Sequence, residues 1–179
     1  MFVNSDFSDL LKIFNDNNVH YLIIGGYAII QYGEPRFTKD LDIWISTDHE
    51  NAIAVYNSLK SFGAPLANLT EADFNQEGYF YQVGYPPIRI DILMGIPGMD
   101  FETAWKNRVE IKFDELPVSF ISKADLIVVK RALPGDLKIF SMPMPFPGLR
   151  INYFSRSKIQ PGAMEKSISN QTGDAWQKT

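Results

Sequence analysis

The sequence predicts an α+β (α/β) fold, with a mixed central β-sheet and helices packed mainly on one side of it. One observation behind this prediction is the order of the elements, which reads helix, strand, helix, strand, helix, several strands and a final helix. The other is size, since 179 residues with 45% hydrophobic and 13% aromatic content suffice for one domain with a substantial core. We therefore expect one domain over residues 1–133 and an irregular tail over residues 134–179.

The first part of the domain is predicted to alternate between helices and strands. In order, these elements are a helix at 5–17, a strand at 19–24, a short helix at 27–33, a strand at 37–46 and a helix at 49–63. The first helix has apolar residues at helical spacing and begins at a capping Ser5 or Asp6. The helix at 49–63 follows Asp48 and ends at Gly63, which are typical start and stop signals.

The second part of the domain is richer in predicted strands. In order, its elements are a short helix near 71–74, a strand pair at 78–84 and 88–96, a short helix at 100–107, a hairpin of strands at 109–113 and 116–122, and a helix to about 133. Ser122 is the expected cap of that last helix. Beyond it, four prolines between residues 134 and 147 exclude a regular helix or a central strand, so the Pro-rich tail is expected to be extended or irregular.

Composition excludes several classes of protein. The chain has no cysteine, which excludes disulfides and thiolate metal sites. Its N-terminus lacks the basic region of a secretory signal, and no apolar run approaches the roughly 20 residues of a membrane span. Residues 1–133 hold 11 basic and 18 acidic residues, which argues against tight nonspecific binding to a polyanion. We expect a cytoplasmic protein with no membrane partner.

A glycine pair and a pair of aspartates lie close together in the stretch LIIGGYAIIQYGEPRFTKDLDIWI, residues 22–45. Gly25 and Gly26 fall between a strand-like and a helix-like run, where bare backbone N–H groups can bind phosphate. Asp40 and Asp42 are spaced i, i+2 on a strand, so their side chains point to the same face. The combination predicts a place for a triphosphate beside a place for the metal ions that accompany it.

A third carboxylate, Asp91, lies in another apolar strand with the sequence RIDIL. If this strand is next to residues 37–46, Asp91 converges with Asp40 and Asp42. Buried carboxylates that meet in this way repel one another unless cations intervene. Two Mg²⁺ ions fit best, because Mg²⁺ is commonly shared between carboxylates and substrate phosphates. Two such metal ions together can bridge the attacking and leaving oxygens of a phosphoryl transfer. Mn²⁺ is an alternative.

Other features of the sequence favour packing over chemistry. A lone DxD or GG is usually a strand end or a turn, and only their joint occurrence with Asp91 favours an active site. His20 and His49 are too few for a histidine metal site. The aromatic run at 79–81 indicates sheet packing more than a surface that stacks on bases. The absence of GxxxxGK[ST] argues against a P-loop NTPase.

The motifs together resemble a known family. GGYAIIQYGEPRFTKDLDIWI and the later RIDIL resemble the DNA polymerase β-type nucleotidyltransferase superfamily, and the match is closest to bacterial abortive-infection (AbiEii-like) nucleotidyltransferase toxins. FISKADLIVVKRA, at 120–132, also resembles that group's helix ending in a lysine. The resemblance covers about residues 5–133. It implies the nucleotidyltransferase fold and a Mg²⁺-dependent transfer of a nucleoside monophosphate from an NTP to an acceptor hydroxyl.

The resemblance also implies roles for individual residues. Asp40 and Asp42 bind both metal ions, and Asp91 binds the catalytic metal and helps to activate the acceptor hydroxyl. The residues implied for the nucleotide are Gly25 and Gly26 on the triphosphate, Arg36 and Thr38 in the lead-in to DLD, and Lys130 near the nucleotide. For Thr38 and Lys130, simple β-propensity and a solvated helix face are equally good explanations.

The acceptor and the partners stay open at this point. The resemblance favours tRNA or a protein as acceptor and adds a cognate antitoxin as a partner, while a small-molecule acceptor is the third option. The small size leaves little room for a separate acceptor domain, which favours an acceptor held by a partner or in a homodimer cleft. Two other classes compete: a catalytically silent, nucleotide-binding or antitoxin-like interaction module on the same fold, and a structural protein with solvated strand aspartates.

The tail departs from the pattern of the AbiEii-like group. It lacks the second aspartate of that group's Asp-Leu-x-Asp segment, since Ile139 stands at that position.

Overall fold

The fold is built from five helices and six strands along the part of the chain that the structure describes. The structure is a computed structural model, and it describes residues 5–33, 37–85, 88–113 and 115–132. Its elements, in chain order, are α1 (Ser5–Asp16), β1 (Tyr21–Ile23), α2 (Gly25–Gln31), β2 (Asp40–Ile45), α3 (His49–Phe62), a 3₁₀ turn (Glu71–Asn75), β3 (Phe80–Tyr85), β4 (Ile88–Leu93), α4 (Phe101–Lys106), β5 (Val109–Phe113), β6 (Leu116–Phe120) and α5 (Lys123–Ala132). The predicted tail at 134–179 lies outside these residues.

The strands form one six-stranded mixed sheet with the order β3-β4-β2-β1-β6-β5. Two neighbouring pairs are parallel, β2 with β4 and β1 with β6. The pairs β1–β2, β3–β4 and β5–β6 are antiparallel. The predicted α+β (α/β) class with a mixed central sheet is therefore confirmed, and β2 and β4 lie side by side as the convergence of the aspartates requires.

The long helices lie on one face of the sheet. Phe14 of α1 packs on Tyr21, with ring centroids 5.7 Å apart, and Tyr21 lies across from Ile45 on the same face. α1 also contacts α3, so these two helices cover the apolar face together. On the opposite face, Trp44 is covered edge-on by Phe101 of the short helix α4. Because period 2 puts Asp42 on the Trp44 face, the aspartates lie on the side away from α1 and α3.

The helix ends follow local signals in the sequence. The Asp48 side chain accepts a hydrogen bond from the Asn51 N–H, and α3 ends at Gly63 with φ +86°. Ser122 Oγ accepts a hydrogen bond from the Asp125 N–H at 3.1 Å and caps α5 as predicted. None of the helices described at 5–33, 37–85, 88–113 and 115–132 is long and apolar enough to cross a bilayer.

Element boundaries differ from prediction at several strand ends and, most relevant to the site, around the glycine pair. The strand predicted at 19–24 is shorter, and the helix predicted to begin at residue 27 begins at Gly25. The reason is the backbone of Gly25, whose φ of +60° turns the chain out of the strand and into the helix at once. The turn brings the helix start directly beside Asp42, because the Ile24 N–H donates to the Asp42 carbonyl oxygen at 3.0 Å.

Candidate active site

The three predicted aspartates lie on one face of the parallel pair β2–β4. The register places Asp42 beside Asp91, and Asp40 beside Arg89. Neighbouring strands are about 4.8 Å apart, so paired side chains on one face are within contact range. Asp40, at the start of β2, keeps 34% of its side chain exposed, whereas the side chain of Asp91 is fully buried. The site therefore opens to solvent at Asp40 and deepens toward Asp91.

Two polar side chains hold Asp91. The Gln82 amide of β3 donates to Asp91 Oδ1 at 2.7 Å. The Arg89 guanidinium donates to Asp91 Oδ2 through Nε at 2.8 Å, and its Nη2 lies 3.2 Å from Asp40 Oδ2. Both oxygens of the buried carboxylate are thus engaged, which is the condition for a buried charge to be tolerated.

Electrostatics in this cluster favour protonation or a cation. Burial, together with the negative charge of Asp91, raises the pKa of Asp42 from 3.8 to about 7, although the Gly26 N–H lowers it in part. Burial also raises the pKa of Asp91, against the lowering effect of Gln82 and Arg89. Asp42 and Asp91 lie side by side, and each is disfavoured in its ionised form. A cation bound between them would stabilise both carboxylates in the ionised form, so the site favours positive charge.

The glycine pair is packed tightly against the acidic residues. The Gly26 N–H donates to Asp42 Oδ2 at 3.4 Å. A Cβ added at Gly25 would overlap the Asp42 carboxylate, and one added at Gly26 would overlap the Thr38 side chain. Only glycine therefore lets the start of α2 approach β2 this closely. The close approach also aims the Asp42 carboxylate at the start of α2.

Among the other residues predicted to bind the nucleotide, Thr38 lies beside the glycine pair. Thr38 Oγ1 donates to the Asp40 carbonyl oxygen at 3.3 Å, so Thr38 fixes the entry to β2 beside Gly26. Lys130 lies on the exposed side of the last turn of α5. Arg36 lies outside the described residues.

The two histidines and Tyr81 of the aromatic run do not join the site. His20 stacks on Trp105 with ring centroids 4.6 Å apart, at the end of β1 away from Gly25. His49 begins α3 on the opposite side of the sheet. Tyr81 is buried against Phe74, as sheet packing predicts.

The donor set suits a hard divalent cation in its chemistry. Carboxylate oxygens are the ligands that Mg²⁺ prefers, and two of the three carboxylates have pKa values raised by burial and by like charge. Within the described residues, however, no group of three acidic or histidine side chains is arranged to hold a metal as it stands. The Arg89 guanidinium lies between Asp40 and Asp91. The residues fit the ion, on the condition that Arg89 moves.

Arg89 and Gln82 were not among the residues singled out from the sequence as part of the site. Arg89 precedes Asp91 by two positions, so strand periodicity alone puts it on the same face. Gln82 becomes predictable once β3 and β4 are paired, because Tyr85 opposite Ile88 brings Gln82 opposite Asp91. The signal was thus strand periodicity for Arg89 and the register of a hairpin for Gln82, rather than a motif.

Comparison with known proteins yields one distant structural likeness and no match to a family model. No family model and no curated protein matches the chain. Among solved structures, the chain is similar to a protein from Thermotoga maritima described as a "putative nucleotidyltransferase". The two are 13% identical, the match covers 68% of this chain and 78% of that chain, and the TM-score is 0.48. The argument for function therefore depends on the site itself.

The raised pKa of Asp42 predicts that the metal-free protein loses stability as pH rises from about 4 to about 7. The folded state holds the Asp42 proton up to a pKa of about 7, while the unfolded chain releases it near 3.8, so the folded state binds more protons in this window. The free energy of unfolding then falls with pH by at most about 1.4 kcal/mol per pH unit for this one proton. Asp42→Asn should remove that part of the slope.

Urea denaturation at several pH values between 4 and 8, with a chelator present, measures the effect. The difference between wild type and Asp42→Asn isolates Asp42 from the other titrating groups. The difference should change across pH 4–7 and level off above pH 8. Parallel stability curves for the two proteins would contradict a raised pKa.

Proposed function

We propose that this protein is a Mg²⁺-dependent nucleotidyltransferase that moves a nucleoside monophosphate from an NTP to an acceptor hydroxyl and releases pyrophosphate. The observation that carries the proposal is the register of β2 and β4, which puts Asp42 beside Asp91 with Asp40 one step away. The start of α2 also lies against one of these carboxylates, Asp42, in a close approach that only glycine at residue 25 permits. Metal-binding carboxylates next to the backbone N–H groups of a helix start are what transfer from a triphosphate needs.

The chain's own part in this reaction is positioning and charge balance. Asp40, Asp42 and Asp91 would hold the metal ions, and Mg²⁺ when bound would neutralise the triphosphate and polarise the reacting phosphorus. We propose that Asp91, which Gln82 orients, accepts the proton of the acceptor hydroxyl once Arg89 has released its Oδ2 oxygen, and the raised pKa of Asp91 supports this role.

The nucleotide side of the site begins at the glycine pair. We propose that backbone N–H groups at Gly25 and Gly26 contact the triphosphate, with Thr38 fixing the lead-in to Asp40. Arg36, which precedes β2 in the sequence, and Lys130 on α5 are proposed to add positive charge near the phosphates. Mn²⁺ should substitute for Mg²⁺, since both take carboxylate and phosphate oxygens.

The acceptor is proposed to be a tRNA or a protein, with a small molecule as the third option. The excess of acidic residues within 1–133 weakly disfavours a large RNA. By resemblance, the biological setting would be that of a toxin in a toxin–antitoxin or abortive-infection system, acting in the cytoplasm with a cognate antitoxin. A homodimer cleft is one way in which so small a domain would hold its acceptor.

One observation favours a second candidate, a catalytically silent nucleotide-binding or antitoxin-like module on the same fold. Arg89 pairs with both Asp40 and Asp91 and takes oxygens that metal ions would need. A silent module would bind an NTP without releasing pyrophosphate. The presence of all three carboxylates favours the enzyme over this candidate.

Thermal melting with nucleotides tests the proposed binding site. We expect one of the four NTPs to raise the melting temperature of the wild type by several degrees when Mg²⁺ is present, since saturation at about 100 times Kd adds roughly 2.7 kcal/mol. Asp42→Asn should abolish the shift. The matched control is Asp16→Asn, which also removes one carboxylate but from an exposed pair with Lys12 on α1.

The outcomes separate the candidates. A shift that needs both Mg²⁺ and Asp42, and that survives in Asp16→Asn, supports the transferase site and names the preferred base. A shift that is independent of Mg²⁺ supports the silent module. No shift with any nucleotide contradicts both.

A further inference from the structure

Arg89 bridges two of the proposed metal-binding carboxylates. Its Nη2 lies 2.8 Å from Asp91 Oδ2 and 3.2 Å from Asp40 Oδ2, and its Nε also donates to Asp91 Oδ2 at 2.8 Å. One guanidinium therefore neutralises a carboxylate on each of the two strands, Asp40 on β2 and Asp91 on β4. The positive charge of Arg89 also lowers the pKa of the neighbouring Asp42 in part.

The bridge leaves Asp91 without a free oxygen. Asp91 Oδ2 is occupied by Arg89 and Asp91 Oδ1 by the Gln82 amide, in a position with no solvent exposure. A divalent ion needs carboxylate lone pairs that face it, and a second cation at the same oxygens is repelled by the first. Metal binding to Asp40 and Asp91 therefore requires the guanidinium to leave.

We propose that Arg89 is a displaceable counter-ion, so that divalent-metal binding at this site is an exchange of one cation for another. The inference rests on the proposed function, which supplies the metal. The side chain of Arg89 retains some exposure and lies level with Asp40 at the open end of the site, so its guanidinium can swing outward. There it can pair with the phosphates of an incoming nucleotide, since the guanidinium fork suits phosphate oxygens.

The exchange has a consequence for the order of binding. Metal alone must displace a paired guanidinium without offering it a new partner, so the metal binds weakly. A triphosphate offers the displaced guanidinium a new partner, so it strengthens metal binding, and by linkage the metal strengthens nucleotide binding. The site thus resists loading by free divalent ions and accepts metal together with substrate.

Binding of Mn²⁺ alone, followed by electron paramagnetic resonance of the free ion, tests the exchange without any transfer reaction. Arg89→Gln should bind Mn²⁺ at least about fivefold more tightly than the wild type, as expected for loss of a competing cation. The control is Arg108→Gln, which removes one positive charge from an ion pair with Glu110 at the other edge of the sheet. Its Mn²⁺ affinity should stay within twofold of the wild type.

Thermal melting guards against a variant that fails to fold. In the presence of a chelator, Arg89→Gln should melt below the wild type, because three carboxylates lose their counter-ion, and Mn²⁺ should raise its melting temperature more than that of the wild type. If Arg89→Gln does not fold without metal, Arg89→Lys takes its place, since lysine keeps the charge but not the two-sided bridge. It should bind Mn²⁺ more tightly than the wild type.

The contrary results are distinct. Equal or weaker Mn²⁺ binding by the Arg89 variants overturns the exchange and leaves the transferase proposal standing. Absence of Mn²⁺ binding by wild type and variants alike, with nucleotide as well as without it, removes the metal site and the proposed function together.

Discussion

Replacing Asp42 or Asp91 by asparagine should abolish nucleotidyl transfer while the fold stays intact. Each change removes a proposed metal-binding charge at nearly constant volume, and we expect a loss of roughly 10³-fold or more, since even one preorganised transition-state contact is typically worth about 10²–10³ in rate. Asparagine at residue 91 still accepts the hydrogen bond from Arg89 on its oxygen, and its N–H can donate to the Gln82 side-chain oxygen once the Gln82 amide, which donates to Asp91 in the wild type, turns over. Pyrophosphate release from the NTPs, with a desalted cell extract as the source of acceptors, measures the effect.

Folding of the two variants is checked by thermal melting. Asp42→Asn should melt no lower than the wild type at pH 8 without metal, because it removes a carboxyl group whose ionisation is disfavoured by burial. Asp16→Asn, on the exposed end of α1, should keep wild-type activity. Activity retained in purified Asp42→Asn or Asp91→Asn would remove these carboxylates from the mechanism.

Gly25→Ala should damage both stability and activity. An added Cβ would overlap the Asp42 carboxylate, and φ at this position is +60°, where an L-residue costs about 1–2 kcal/mol. The chain can relieve the overlap only by moving α2 away from β2 or by turning Asp42 aside. Because a displacement of about 1 Å at a reacting centre can cost 10²-fold in rate, we expect a loss of about that size or more.

Gly63→Ala is the matched control for this change. Gly63 has φ +86° at the end of α3, but a Cβ there meets nothing within 4 Å. It therefore suffers the backbone strain of Gly25→Ala without the overlap. Urea denaturation should show a larger loss for Gly25→Ala than for Gly63→Ala, and only Gly25→Ala should lose transfer. Equal effects would mean that the contact with Asp42 has no consequence.

Much of the fold was predictable because its signals are local. The alternation of Leu41, Ile43 and Ile45 with Asp40, Asp42 and Trp44 predicts β2 and its apolar face. Asp48 and Gly63 mark the ends of α3 through hydrogen bonding and a left-handed backbone, both of which depend on single residues. The parallel pairing of β2 with β4, by contrast, joins residues about fifty positions apart, and no local signal in the sequence specifies it.

The candidate site was predictable in its carboxylates and not in its counter-ion. Asp40, Asp42 and Asp91 are recognisable because charge inside an apolar strand needs a reason. The bridge made by Arg89 depends on a side-chain conformation that spans two strands, and no spacing rule predicts it. The start of α2 at Gly25 likewise depends on a backbone angle that apolar periodicity does not encode.

The most direct test of the central claim follows the two ends of the nucleotide separately. Each NTP is supplied either with a label on the α-phosphorus or with a label on the γ-phosphorus, together with Mg²⁺, purified protein and a desalted cell extract. Nucleotidyl transfer predicts that the α-label becomes attached to RNA, protein or a small acceptor, while the γ-label is released as pyrophosphate, and that Asp42→Asn does neither. Attachment of the γ-label instead, or attachment of neither label by the folded wild-type protein, would contradict the account.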